Sequence, residues 1–265
     1  MSDFIVSVDT DKCIGCGLCC EDCPSKILKL LSDKANVTSQ QCIKCGHCVA
    51  ICPVNAFRIS GYDSSEVKEL GETNITLNTD ELSNHLMFRR STRKYKCKEI
   101  EKEKVERIIE AGRYTPTGSN SQNVRYIVVK KEISWLEEET LKGYKRKIKL
   151  ATLLKHFKAL PYDIDKYKPE PGFLFHGAPL LILFVSENNV NAALAAMSAE
   201  LMAESLGLGT LYVGLFTRPA NRNKKIRSFL GLTKKENIVA ALAMGYPGIQ
   251  YKRTAPRKKA EIKWL

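Results

Sequence analysis

From about residue 79 onward, the apolar and polar positions fall into alternating periods of helix and strand. Thr79-Asp80-Glu81 reads as an N-cap with an acidic first turn, opening a helix through Leu82, Leu86 and Met87 toward Arg89. A second helix, about 100 to 113, sets Val105, Ile108 and Ile109 on one face. Residues 124–130 read as a strand, followed by a charged helical stretch that ends before Pro161. The apolar run at 179–186 reads as a buried strand and leads into a long Ala-rich helix, about 189 to 206. A strand near 210–216, a short basic helix near 221–230 and a strand at 238–244 complete the pattern, and the chain beyond 245 reads as an extended arm. This order predicts an α+β domain. Upstream, residues 61–78 collect Gly, Ser, Asn, Thr and charges with no helical period. That stretch reads as a linker between a first domain, 1–60, and a second, 79–265.

The first domain is short on apolar periodicity and rich in cysteine. Nine of the ten cysteines lie between residues 13 and 52, and Cys97 is the exception. Cys13-Ile14-Gly15-Cys16-Gly17-Leu18-Cys19-Cys20-Glu21-Asp22-Cys23-Pro24 shares its spacing with Cys42-Ile43-Lys44-Cys45-Gly46-His47-Cys48-Val49-Ala50-Ile51-Cys52-Pro53. The spacing C-x2-C-x2-C-x3-C-P places three thiolates around one iron–sulfur cube and sends the fourth to a neighbouring cube. Two copies predict two [4Fe-4S] clusters, the first on Cys13, Cys16, Cys19 and Cys52, the second on Cys42, Cys45, Cys48 and Cys23. Cys20 has no place in either set. Gly15, Gly17 and Gly46 let backbone N–H groups approach the cluster sulfurs, and Pro24 and Pro53 set the chain direction after the last ligand. A zinc site needs two cysteine pairs, not two identical runs of four, and a disulfide framework belongs to secreted chains. His47 sits inside the second loop, where a hydrogen bond would tune the potential, but the ligand set is complete without it. These runs resemble the bacterial two-cluster ferredoxins over about the first sixty residues, which makes the chain a carrier of single electrons.

Length and charge show that this is the minor part of the protein. The 265 residues predict one domain of about 60 residues, stapled by its clusters, and one of about 185. Residues 1–60 hold six Lys/Arg and six Asp/Glu, so the formal net charge of +13 lies in residues 61–265. A basic face would steer an acidic redox partner, such as a ferredoxin or flavodoxin, or an anionic substrate. The lysines are spread and not gathered into an aromatic-studded patch, so a solvated surface is the competing reading and nucleic acid is not expected. No apolar run reaches the length of a membrane span, and Asp3 and Asp9 stand where a signal peptide would be basic and then apolar. A cytoplasmic, reducing setting is the expectation. Cys97, between Lys96 and Lys98, reads as a surface thiol, and His85, His156 and His176 read as structural or surface residues.

The second domain has its own candidate chemistry. Arg89-Arg90-Ser91-Thr92-Arg93 offers three guanidiniums and a hydroxyl, a donor set that suits a phosphate dianion, although taken alone it reads equally as a solvated basic turn. In order after it come Thr115-Pro116-Thr117-Gly118-Ser119-Asn120-Ser121-Gln122-Asn123, Leu206-Gly207-Leu208-Gly209-Thr210-Leu211-Tyr212-Val213-Gly214 and Met244-Gly245-Tyr246-Pro247. This set resembles the FMN-dependent nitroreductase family over most of residues 80–265. The resemblance implies a nitroreductase-like α+β sandwich built as an intertwined homodimer with two FMN sites. It assigns Arg89, Arg90, Ser91 and Arg93 to the FMN phosphate. It assigns Thr117, Gly118 and Asn120 to the flavin from the other subunit, and the backbone N–H groups of Val213 and Gly214 to the flavin N5. Either Arg253 or Arg257 in the arm would add a phosphate contact. The Ala-rich helix suits a close dimer contact, though a core helix would look the same. Two departures stand out: Gln122-Asn123-Val124 where many members have Gln-Pro-Trp, and Val213 where some have an acidic residue. No G-x-G-x-x-G opens a helix after a strand, so nicotinamide, if used, would stack directly over the flavin; NAD(P)H is left open.

Joined, the halves imply that the clusters feed FMN, which passes hydride from N5 to a nitroaromatic, quinone or other conjugated acceptor. No side-chain general acid stands out, so water would supply the proton. The same scaffold supports reductive dehalogenation, flavin fragmentation and heterocycle dehydrogenation, and a relay or redox sensor without turnover is the reading from a different class.

Overall fold

The computed structural model describes residues 6–71, 75–156 and 170–265, with backbone only for 145–156. Two compact units emerge: one formed by the described residues up to Thr76 together with Thr117–Ser121, the other by Leu77–Pro116 and the described residues from Gln122 onward. The linker expected at 61–78 therefore falls almost wholly with the first unit. Thr117–Ser121, expected within the second domain, also belongs to the first.

The small unit runs β1 (Val6–Val8), α1 (Leu18–Glu21), β2 (Leu28–Leu31), β3 (Lys34–Val37), α2 (His47–Ala50) and β4 (Phe57–Ile59). β1 pairs antiparallel with β4, and β2 with β3. The β2–β3 turn puts both Ser32 and Asp33 in the left-handed region, φ 47° and 54°, as a two-residue turn matched to strand twist requires. Each short helix starts after a left-handed glycine, Gly17 or Gly46, φ 79° and 78°. The core gathers Val6, Ile27, Leu28, Ala35, Ala56, Phe57 and Ile59 around the buried Cys13 and Cys19. So little apolar area leaves the cysteines as part of the core itself.

The large unit runs α3 (Thr79–Phe88), α4 (Lys102–Arg113), β5 (Arg125–Val129), α5 (Ile133–His156), β6 (Leu180–Ser186), α6 (Asn189–Ser205), β7 (Gly209–Tyr212), α7 (Gly214–Arg222), α8 (Lys224–Phe229) and β8 (Asn237–Gly245). The end of α5 expected before Pro161 lies outside the described residues. The strands form one antiparallel sheet in the order β5-β6-β8-β7. Its two faces are both covered, which is why β6 reads as an unbroken apolar run. Leu181, Leu183 and Val185 pack with α5, α7 and α8, and Leu180, Ile182 and Phe184 with α4 and α6. Each such side chain, fully buried, contributes about 1.5–3 kcal/mol.

Ala192, Ala195, Ala196, Ala199 and Ala203 let α6 lie close against α4 and the sheet, so within this chain the Ala-rich helix is a core helix. Two local expectations change. The cap of α3 is Asn78, not Thr79, because its Oδ1 reaches the N–H groups of both Asp80 and Glu81. The strand expected to reach residue 216 stops at Tyr212, and α7 follows; Phe216 is buried from a helix while Leu215 points to solvent. The four residues Val213-Gly214-Leu215-Phe216 are too few to carry a period that separates these two outcomes.

Candidate functional site

In the small unit, Cys23, Cys42, Cys45 and Cys48 line one cavity with Pro24, Ile43, Gly46 and His47. A cysteine of the first run thus joins three of the second. In the other set Cys13 and Cys19 are buried, Cys52 half-buried and Cys16 exposed. Backbone N–H groups already face the sulfurs: Ala35 donates to Cys13 Sγ at 3.4 Å, Lys44 to Cys42 Sγ at 3.3 Å and Ala56 to Cys52 Sγ at 3.3 Å. Such bonds favour thiolate and cluster sulfur, so the donor set fits iron–sulfur cubes. Among the described residues no group of three or more His, Cys, Asp or Glu is placed to hold a single metal ion.

The thiols differ in readiness. The Ala35 N–H holds the Cys13 thiol below its ordinary range. Burial, reinforced by Cys20, pushes Cys19 up to about 12, and burial pushes Cys48 up to about 11. Cluster assembly must displace those protons, which couples metal loading to folding. His47 Nδ1 lies 2.9 Å from Asp22 Oδ2, tying the two runs at the surface. Cys97 is exposed in the large unit.

In the large unit the arginine element is an edge segment laid beside β7. Ser91 bridges Thr210 in parallel and the Thr92 N–H donates to Thr210 O at 2.8 Å. Tyr95 pairs with Pro247. The glycines of the later motifs make room for it. A Cβ at Gly209 would run into the Thr92 side chain, and one at Gly245 into Pro179 and Tyr95. Tyr251, from the arm, donates its hydroxyl to Ser91 O at 3.2 Å, and its ring lies 5.9 Å from the Arg90 guanidinium.

The three arginines are not equivalent. Arg89 Nη1 donates to Glu200 Oε1 at 2.8 Å, a carboxylate only 2% exposed. Arg93 Nη1 lies 3.5 Å from Ser91 O. Among the described residues neither Arg90 nor Arg93 has a carboxylate partner, so their planar donors suit a phosphate. Arg253 and Arg257 are exposed in the arm. The Val213 N–H, expected beside the flavin, donates to Ala241 O at 2.9 Å, because the chain still runs along β8 there. Gly214 follows as the first residue of α7, a helix without a side-chain cap. Thr117, Gly118 and Asn120 lie with the small unit, where Asn120 Nδ2 donates to Lys44 O at 2.8 Å and Ile43 O at 3.3 Å.

Sequence reading overlooked Glu200 and Glu204. Thr210 Oγ1 lies 3.2 Å from Glu200 Oε1 and 2.9 Å from Glu204 Oε1. Burial raises the Glu204 carboxyl above its usual range, with Glu200 adding to the effect. Burial and the Glu200 carboxylate hold the Tyr212 phenol neutral. The available signal was two glutamates four apart within an alanine-rich helix, where charge needs a partner.

Residues 86–246 match the model of the nitroreductase family, and residues 5–53 that of the 4Fe-4S dicluster domain. An Archaeoglobus fulgidus protein with the provisional name NADH dehydrogenase/NAD(P)H nitroreductase is 26% identical over 160 residues, 60% of this chain and 81% of that one. The iodotyrosine deiodinase of Hydra vulgaris is 23% identical over 176 residues, 60% of this chain and 62% of its own. The crystal structure of a Desulfitobacterium hafniense nitroreductase with bound FMN superposes with a TM-score of 0.55 at 22% identity, covering 72% of this chain and all of that one (100%). The match at 86–246 spans most of the chain, and the protein belongs to the nitroreductase family, with a 4Fe-4S dicluster domain at its N-terminal end.

Proposed function

We propose that the protein is an iron–sulfur flavoprotein oxidoreductase that receives single electrons at two [4Fe-4S] sites and uses FMN to reduce a small conjugated acceptor, a nitroaromatic or quinone. The observation that carries this reading is the convergence of Cys23 with Cys42, Cys45 and Cys48 in one cavity, on a chain of the nitroreductase family. When bound, the clusters supply one-electron transfer and the flavin links single electrons to pairs.

The chain's own residues divide the work. Backbone N–H groups of Ala35, Lys44 and Ala56 hold thiolates at Cys13, Cys42 and Cys52. Arg90, Arg93 and Ser91 grip the phosphate end of the flavin, while Arg89, committed to Glu200, anchors the segment that presents them. With the Val213 N–H engaged in the sheet, Gly214 at the start of α7 is the backbone donor left to face the flavin ring. The FMN bound by the Desulfitobacterium relative supports the choice of flavin.

A homodimer completes the reading. α3 has no buried residue and exposes Leu82, Leu86, Met87 and Phe88, and the arm exposes Tyr251, Ile262 and Trp264. No described helix is long and apolar enough to cross a membrane.

The deciding experiment is an anaerobic reductive titration that follows cluster and flavin absorbance together. About four electrons per chain, two for the clusters and two for the flavin, with reoxidation by a nitroaromatic or quinone, is the expected result. About two electrons and no flavin signal after added FMN would leave an electron carrier instead. The likeness to the Hydra deiodinase motivates a halogenated phenol as a second acceptor in the same cuvette, and the Archaeoglobus name motivates NADH as a donor.

A further inference from the structure

The two cysteine loops repeat one spacing but are braced differently. Gly15 and Lys44 hold the same place in Cys-Ile-x-Cys, and both are left-handed, φ 69° and 57°. Glycine takes that conformation freely, whereas lysine is strained there and persists only where its surroundings impose it. The first loop is held by the adjacent strand: Lys34 Nζ donates to Cys13 O at 2.5 Å, and the Ala35 N–H to Cys13 Sγ at 3.4 Å. The second loop is held by a residue far along the chain. Asn120 Nδ2 donates to Lys44 O at 2.8 Å and to Ile43 O at 3.3 Å. Both partners are carbonyl oxygens, so the amide nitrogen and not the oxygen must face them.

Ile43 C=O and Lys44 N–H belong to one planar peptide. A donor on that oxygen fixes the plane and polarises the N–H at its other end, the same N–H that donates to Cys42 Sγ at 3.3 Å. We propose that Asn120 is a positioning residue for the second cluster, holding the strained Ile43-Lys44 turn so that its N–H points at Cys42 Sγ. The proposal rests on the two-cluster reading above. Hydrogen bonds to cluster sulfur raise a cluster's potential, so Asn120 sets the second cluster's potential and not the first's. Thr117–Ser121 lies between α4 and β5 in the chain, so the second cluster answers to a segment outside its own motif.

The test is an EPR-monitored redox titration of full-length, iron-loaded protein in four forms: wild type, Asn120→Ala, Lys44→Gly and the double variant. Asn120→Ala is expected to shift one of the two cluster potentials to more negative values and leave the other in place. In the Lys44→Gly background the same substitution should shift it less, because glycine holds the left-handed turn unaided. Equal movement of both clusters, movement of neither, or a shift indifferent to Lys44→Gly overturns the assignment. Asn120→Leu keeps the approximate shape without the donors and without an added charge; it reads the same bonds where the alanine variant is not recovered folded, and an unmoved potential there counts equally against the role. A wild type without two cluster signals would remove the two-cluster reading itself. Two wild-type signals with an unchanged Asn120→Ala titration would remove only the role of Asn120.

Discussion

The large unit is held by its sheet and the small unit by its cysteines. β6 is buried at every position, and helices cover both faces of the sheet that contains it. The strands of the small unit are three or four residues long, and among the described residues two of the nine buried in its core are cysteines. A core that small cannot offset the conformational entropy of ordering its chain, so bound iron has to supply the difference. Burial makes the same point chemically. Cys19 and Cys48 are costly to ionise where they sit, so only a bound cluster draws them out of the neutral thiol form.

The largest expected effect tests this contrast directly. Anaerobic chelation of iron should unfold the small unit and leave the large one folded. Limited proteolysis read by mass spectrometry would then show cuts within residues 6–59 and protection of the sheet; an iron-free small unit that still resisted protease would erase the distinction. Next, Phe184→Ala should cost the large unit about 3–5 kcal/mol, since its ring is fully buried beside Tyr126. Trp135 and Trp264 are the only tryptophans and both lie outside the small unit, so fluorescence-monitored urea denaturation reads the large unit alone.

A smaller effect sharpens the comparison by function. Arg90→Ala should weaken FMN retention by about 1.5–3 kcal/mol, the worth of a charged hydrogen bond, while cluster absorbance stays the same. Unchanged flavin content after gel filtration would sink the phosphate assignment. The smallest effect is a pH slope. Burial raises the folded-state pKa of Glu204 above its unfolded value, so its contribution is full below the ordinary glutamate range and is lost as pH rises through the folded value. Glu204→Gln should therefore remove part of the large unit's loss of stability from mildly acidic to neutral pH. Parallel urea midpoints for both proteins across that range would refute it.

Some of this was legible along the chain and some was not, and the line follows distance. The cysteine runs and the apolar run at 179–186 were legible because ligand spacing and strand periodicity act within a few residues. Asn78 and Thr79 are both competent caps, and only the backbone path selects Asn78. The two glycines that admit the arginine segment, Gly209 and Gly245, stood inside motifs, but what they clear was visible only once Thr92, Tyr95 and Pro179 were beside them.

By itself, then, the sequence determined which residues are candidates for chemistry, eight spaced cysteines and a cluster of arginines, and which strand, β6, must be buried. Tertiary structure alone decided their partners. It closed Arg89 onto Glu200, drew the Val213 N–H into the sheet toward Ala241, set Cys23 among the cysteines of the other run, and brought Asn120 to the carbonyls of Ile43 and Lys44. Local spacing specifies the kind of donor or ligand; which acceptor it meets depends on segments that approach only when the chain has folded, and a buried polar group must take the partner it finds there.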